Sequence, residues 1–152
     1  DIVGIGLDHR RRDDLAEAQC RFALAHQRQH IRLLHRARLA TDAGSGVLLD
    51  AMHPARSNGR VQVLATGLGK VHPDWPAGMA GPVENPPTVI EPVRAYLDRA
   101  PVEVTRAILA PGYIGLYLVE IQLPAIVNAG PAELYLESGG RESNRTRIWL
   151  EP

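Results

Sequence analysis

From Val47 to the end of the chain, apolar residues come in short runs between prolines and glycines. "VQVLAT" (61–66) reads as a strand and "GLG" (67–69) as the turn after it. Further short runs follow in "TVIEPVRAYLD", "PVEVTRAILA", "YIGLYLVEIQL", "ELYLES" and "RTRIWLE", joined by "DRAP", "APG", "PAIVNAGP" and "SGGRESN". In "ELYLES", Leu134 and Leu136 alternate with Glu133, Tyr135 and Glu137. In "RTRIWLE", Ile148 and Leu150 alternate with Arg147, Trp149 and Glu151. Period-two alternation marks strands with one buried face. The run 113–123 is apolar on both faces in its first half. A central strand, or a strand at an oligomer contact, would read that way. Many short strands at this spacing predict a mostly β fold, a sandwich or barrel, from residue 46 to 152.

The first third follows a different rule. Asp8 to Ala40 holds no glycine or proline and is rich in Arg, Ala, Leu, Gln and His, all tolerated in helices. Asp13 or Asp14 can cap a start, and Leu15, Ala18, Phe22 and Ala25 share one stripe. The pattern predicts a helix over about 14–39 inside an N-terminal extension, residues 1–45, that docks on a partner. Such a composition is also what GC-rich DNA gives in a shifted reading frame.

The motifs of the second half narrow the fold. "VLATGLGKV" (63–71), a proline-rich loop at 71–87 with five prolines, and "APGYIGLYLVEIQLPAIVNAGPAELYLESGGRESN" (110–144) follow in order. This order resembles the Solibacter-type C-terminal module of large secreted acidobacterial proteins. The matching positions are Ala65–Gly69, Ala110–Tyr113, Gly115–Tyr117, Val119, Pro124, Gly139, Gly140, Ser143 and Asn144. The resemblance spans about residues 50–152. It implies an Ig-like β-sandwich on a bacterial protein that is secreted or at the cell surface, and it implies no enzymatic activity. Two features depart from it: residues 1–45, and "DRAP" (98–101) in place of a Gly-Gly turn.

Charge and candidate chemistry add mostly exclusions. Seventeen basic and 17 acidic residues leave the 152-residue chain with a formal net charge of zero, which argues against a general nucleic-acid or membrane-surface binder. The Arg-rich "HRRR" (9–12) and its neighbours are diluted by Asp8, Asp13, Asp14 and Glu17. No apolar run is long enough to span a membrane as a helix, and residues 1–14 do not read as a signal peptide. The one cysteine, Cys20, allows no internal disulfide. His26 and His30 share a helical face, but without a nearby carboxylate they make a poor metal site. No cofactor motif and no nucleophile–base pattern is present, so no catalytic residue is assigned. "NRT" (144–146) matches a glycosylation acceptor at Asn144.

The binding candidates are aromatic: Trp75 in the proline-rich loop, with Tyr113 and Tyr117. The first functional expectation is a non-catalytic structural or adhesive protein that works through protein–protein contacts, including self-assembly into oligomers or filaments. Two others stand beside it: a carbohydrate or cell-wall binding module centred on Trp75, and an accessory domain of a larger secreted enzyme.

Overall fold

The computed structural model describes Arg32–Leu33 and residues 40–152. The elements are β1 (Arg32–Leu33), β2 (Ala40–Asp42), β3 (Ala55–Arg56), β4 (Arg60–Thr66), β5 (Val71–His72), β6 (Thr88–Val89), β7 (Val93–Leu97), β8 (Ala100–Leu109), β9 (Tyr117–Gln122), β10 (Gly130–Ser138), β11 (Arg141–Glu142) and β12 (Thr146–Glu151). Among the described residues there is no helix. The strands form one 12-stranded sheet, ordered β1-β4-β9-β8-β7-β10-β12-β3 along its main path. It curls into a nearly closed barrel.

The alternation in the sequence decides which side chains face inward. Val61, Val63 and Ala65 of β4 are buried, as are Ala132, Leu134 and Leu136 of β10 and Ile148 and Leu150 of β12. They meet Val119, Ile121 and Leu123 of the β9 segment in one hydrophobic core. Their intervening neighbours Glu133, Arg147 and Trp149 are exposed. The pattern for β10 and β12 thus holds, except that Tyr135, on the outer face, is buried as well.

β8 holds the two halves of the barrel together. Its first residues pair with β7, from Ala100 to Val102, and its later ones with β9, from Glu103 to Leu109. The register shifts between Val104 and Arg106, so Thr105 is an extra residue. A bulge of this kind bends a strand and sharpens its twist. The seam on the far side is crossed by the turn from β3 to β4. There Ser57 N–H donates to the Glu151 carbonyl (2.9 Å) and Asn58 N–H to the Pro124 carbonyl (2.9 Å).

Three expectations need correction. The run 113–123 is a strand only from Tyr117. Gly112 and Gly115 take positive φ (78° and 68°), which turns the residues before Tyr117 into a loop. The helix over 14–39 lies outside the described residues except at Arg32–Leu33, where the chain is extended and paired with Thr66 and Ala65. Backbone groups on the β4 edge find partners there, and that outweighs a weak local helix preference. The sheet also takes in β2, which pairs with β4 ahead of the expected domain start at residue 46.

The "DRAP" hairpin forms without glycine. Asp98 and Arg99 both adopt positive φ (49° and 69°) between the paired residues Leu97 and Ala100. Asp98 offsets the strain by bonding Glu133 twice: its N–H donates to the Glu133 carbonyl (2.8 Å) and its Oδ1 accepts the Glu133 N–H (2.7 Å). Arg99 has no such compensation. Arg99→Gly is expected to raise the unfolding free energy by about 1 kcal/mol, measured by urea denaturation. A fall in stability would show that the arginine side chain contributes more than its backbone costs.

Candidate functional site

The strands of β4, β8 and β9 end together at Thr66, Leu109 and Tyr117. We call this the upper end; Arg60, Gln122 and Glu103 mark the lower end. Two long loops, 73–87 and 110–116, meet at the upper end. They are bonded to one another as a strand pair would be. Gly81 N–H donates to the Tyr113 carbonyl (2.9 Å) and Gly112 N–H to the Gly81 carbonyl (2.8 Å). Ala80 pairs with Ile114 and Gly81 with Pro111. Only glycine allows this approach, since a Cβ at Gly81 would collide with the Ala110 carbonyl.

Trp75 is the inner support of this arrangement. Its ring packs, partly buried, against the core, and its indole N–H donates to the Ala80 carbonyl (3.1 Å). Tyr117 ties a third segment in. Its hydroxyl donates to the Gly69 carbonyl (2.5 Å), fixing the 67–70 turn to the start of β9, and burial pushes its pKa up. Tyr113 alone of the three expected binding aromatics presents its side chain outward, at 53% exposure. The fold brings all three to one end, but gives two of them a supporting role.

The groups actually displayed are aliphatic and were missed in the sequence. Met79 (53% exposed), Val83 (80%) and Ile114 (62%) join Tyr113 on the tied loops. Neither 75–83 nor 110–116 contains a charged residue. The available signal was apolar residues next to turn-forming glycines, in Gly78-Met79 and Ile114-Gly115, where a core position is not expected.

Beside the loops, an open groove of about 770 Å³ lies where β7 parts from β8. Val83, His72, Glu91, Thr105 and Arg106 are among its lining. Among the described residues no group of three or more His, Cys, Asp or Glu side chains could hold a metal ion. The His26–His30 pair, Cys20 and the Arg-rich segment 9–12 lie outside the described residues. At the sequon, both side-chain amide atoms of Asn144 are buried, so the nitrogen a glycan would join is not presented to solvent.

The two broad outer faces are occupied by polar networks. On one, Glu120 accepts hydrogen bonds from Gln62 Nε2 (3.0 Å), Thr105 Oγ1 (3.1 Å) and Arg60 Nη1 (3.4 Å). The Gln62 bond is the main cause that holds the Glu120 carboxyl below the ordinary glutamate range. On the other, Tyr96 and Tyr135 stack at 4.9 Å, and Arg145 lies over the Tyr135 ring while pairing with Glu133 (2.9 Å).

No family model, no curated protein and no solved structure matches this chain.

Two outcomes follow from the geometry. Trp75→Phe keeps an aromatic ring but loses the indole N–H and the five-membered part of the indole, and is expected to cost at least about 1 kcal/mol in urea denaturation and to speed proteolysis within 76–80. Unchanged cleavage would mean that the Ala80 bond does not hold the loop. For Glu120, the folded pKa lies below the unfolded one. Its contribution is therefore complete above the ordinary glutamate range and is lost as the pH falls through that range. The stability gap between the wild type and Glu120→Gln should be widest near pH 7 and narrow by about pH 3. A gap independent of pH would show that the carboxylate's charge contributes nothing.

Proposed function

We propose that this chain is a non-catalytic module of an exported bacterial protein, with an Ig-like sandwich as its fold, that acts through protein–protein contacts. The observation that carries the reading is the pair of tied loops. They expose Met79, Tyr113 and Ile114 on a backbone already held by hydrogen bonds. Burying each such side chain against a partner is worth roughly 1.5–3 kcal/mol. A prearranged backbone spares the ordering cost that offsets such gains in loose loops.

Exposed apolar side chains gathered on one surface mark interaction sites more often than chance decoration. The motif order shared with the Solibacter-type modules supports export and the sandwich. The carbohydrate reading has less support, because the Trp75 ring is turned toward the core and its N–H is already engaged. An accessory domain of a larger secreted enzyme would use the same contact surface and needs no separate site.

A photo-crosslinking amino acid at Tyr113, in the protein produced in its own cells, tests this. Protein adducts are expected from position 113 and not from the exposed Arg147 on β12. Adducts from neither position, together with glycan binding lost in Tyr113→Ala, would overturn the reading.

A further inference from the structure

The turn from β3 to β4 closes the seam of the barrel with a short stretch of backbone. Arg56 pairs through its side chain with Glu151 of β12 (2.9 Å). Ser57 N–H donates to the Glu151 carbonyl, and Asn58 N–H to the Pro124 carbonyl beyond β9. Leu123 N–H donates back to the Gly59 carbonyl (2.8 Å). Gln122 Nε2 completes the clasp by donating to the Asn58 carbonyl (2.8 Å). Both sides of the seam are thus fastened to residues 56–59.

The shape of the turn dictates which residues it can hold. Gly59 N–H donates to the Arg56 carbonyl (3.0 Å), which makes Asn58 the third residue of a four-residue turn. Its φ is positive (57°), a conformation that glycine and asparagine adopt most readily. A Cβ at Gly59 would lie 2.8 Å from the Arg56 carbonyl oxygen, so only glycine fits there. The fold therefore sets a glycine directly after an exposed asparagine.

That sequence has a chemical consequence. Asparagine is a labile residue, because the backbone nitrogen that follows it can attack its side-chain carbonyl carbon. A side chain on the following residue obstructs the approach, and glycine has none. The other asparagines are less suited. Asn85 precedes a proline, which has no N–H, and Asn128 precedes an alanine. Asn144 precedes an arginine, and its amide atoms are buried.

We infer that Asn58 is a self-modification site, at which loss of the side-chain amide loosens the seam. The Gly59 nitrogen gives up its proton and bonds to Asn58 Cγ. The bond from Cγ to the amide nitrogen breaks, and that nitrogen takes up the proton and leaves as ammonia. A five-membered imide remains. Water opens the ring at Cγ to give aspartate, or at the backbone carbonyl carbon to give isoaspartate. One water enters and one ammonia leaves, so no oxidant or reductant is needed. In the closed turn the Gly59 N–H is held by Arg56 and the Asn58 carbonyl by Gln122. Attack requires the turn to open, and its rate follows the population of that opened form. Isoaspartate carries the chain through Cβ and Cγ. It adds one methylene between the N–H that bonds Pro124 and the carbonyl that accepts from Leu123, so the two bonds cannot both be kept. The change is irreversible, and the seam weakens as the molecule ages.

The test uses the full chain, incubated at neutral and at mildly alkaline pH. Ammonia release, peptide mass mapping and isoaspartate content are followed together. Conversion should be confined to residue 58 and faster in alkali, since the attacking nitrogen must lose its proton. Asn58→Gly accepts the same φ and has no amide, so it should lose the ammonia signal. Gln122→Ala removes a guarding bond and should raise the rate about fivefold. The converted fraction should unfold at a lower urea midpoint than fresh protein. Asn58→Asp carries the new charge without the added methylene and should stay close to fresh protein. Conversion at another asparagine would overturn the inference. So would an inert folded protein whose urea-unfolded chain converts at Asn58, because the clasp would then never open. A slower Gln122→Ala would show that Gln122 promotes the attack, and would overturn the guarding role. A converted fraction as stable as fresh protein, or an Asn58→Asp as unstable as the converted fraction, would overturn the account of the loosened seam.

Discussion

β8 has to belong to two halves of the barrel at once, and most of the architecture follows from how it does so. Its first residues pair with β7 and its later ones with β9. A regular strand would continue straight and keep one set of neighbours. The extra residue at Thr105 turns it. The same residue then donates its hydroxyl to Glu120, so the bend and the polar network on that face are built from one position. The groove between β7 and β8 opens where β7 ceases to follow the turning strand.

Closure of the sheet leaves the chain with few free edges but two ends, and loops must cover both. At the upper end the covering loops are joined backbone to backbone and supported from beneath by Trp75. A loop so held cannot turn its apolar side chains inward, because the core below is already filled by Leu68, Val71 and Leu109. Met79, Tyr113 and Ile114 therefore remain in contact with solvent. Rigid support beneath and apolar exposure above are the properties expected of a contact surface.

Much of this was legible in the residues. Alternation in β10 and β12 assigned Leu134, Leu136, Ile148 and Leu150 to the core, because a strand sends neighbouring side chains to opposite faces whatever it packs against. Proline and glycine marked the loops for a similarly local reason. Trp75, Tyr113 and Tyr117 were legible as residues of one region, but their roles were not. Whether an aromatic ring supports a loop or faces a partner depends on which side of the loop the core lies.

What the sequence determined by itself was the β class, the inward and outward faces of its regular strands, and the places where proline and glycine break them into loops. Each of these depends on neighbours along the chain. The tertiary structure decided the rest: that β8 is shared, that "DRAP" turns with two residues at positive φ, that 113–116 is a loop, and that Arg32–Leu33 is extended. Those outcomes depend on partners far away in the chain. A backbone group at a sheet edge, or a carbonyl such as that of Glu133, can override a local preference only once folding has brought it within hydrogen-bonding distance.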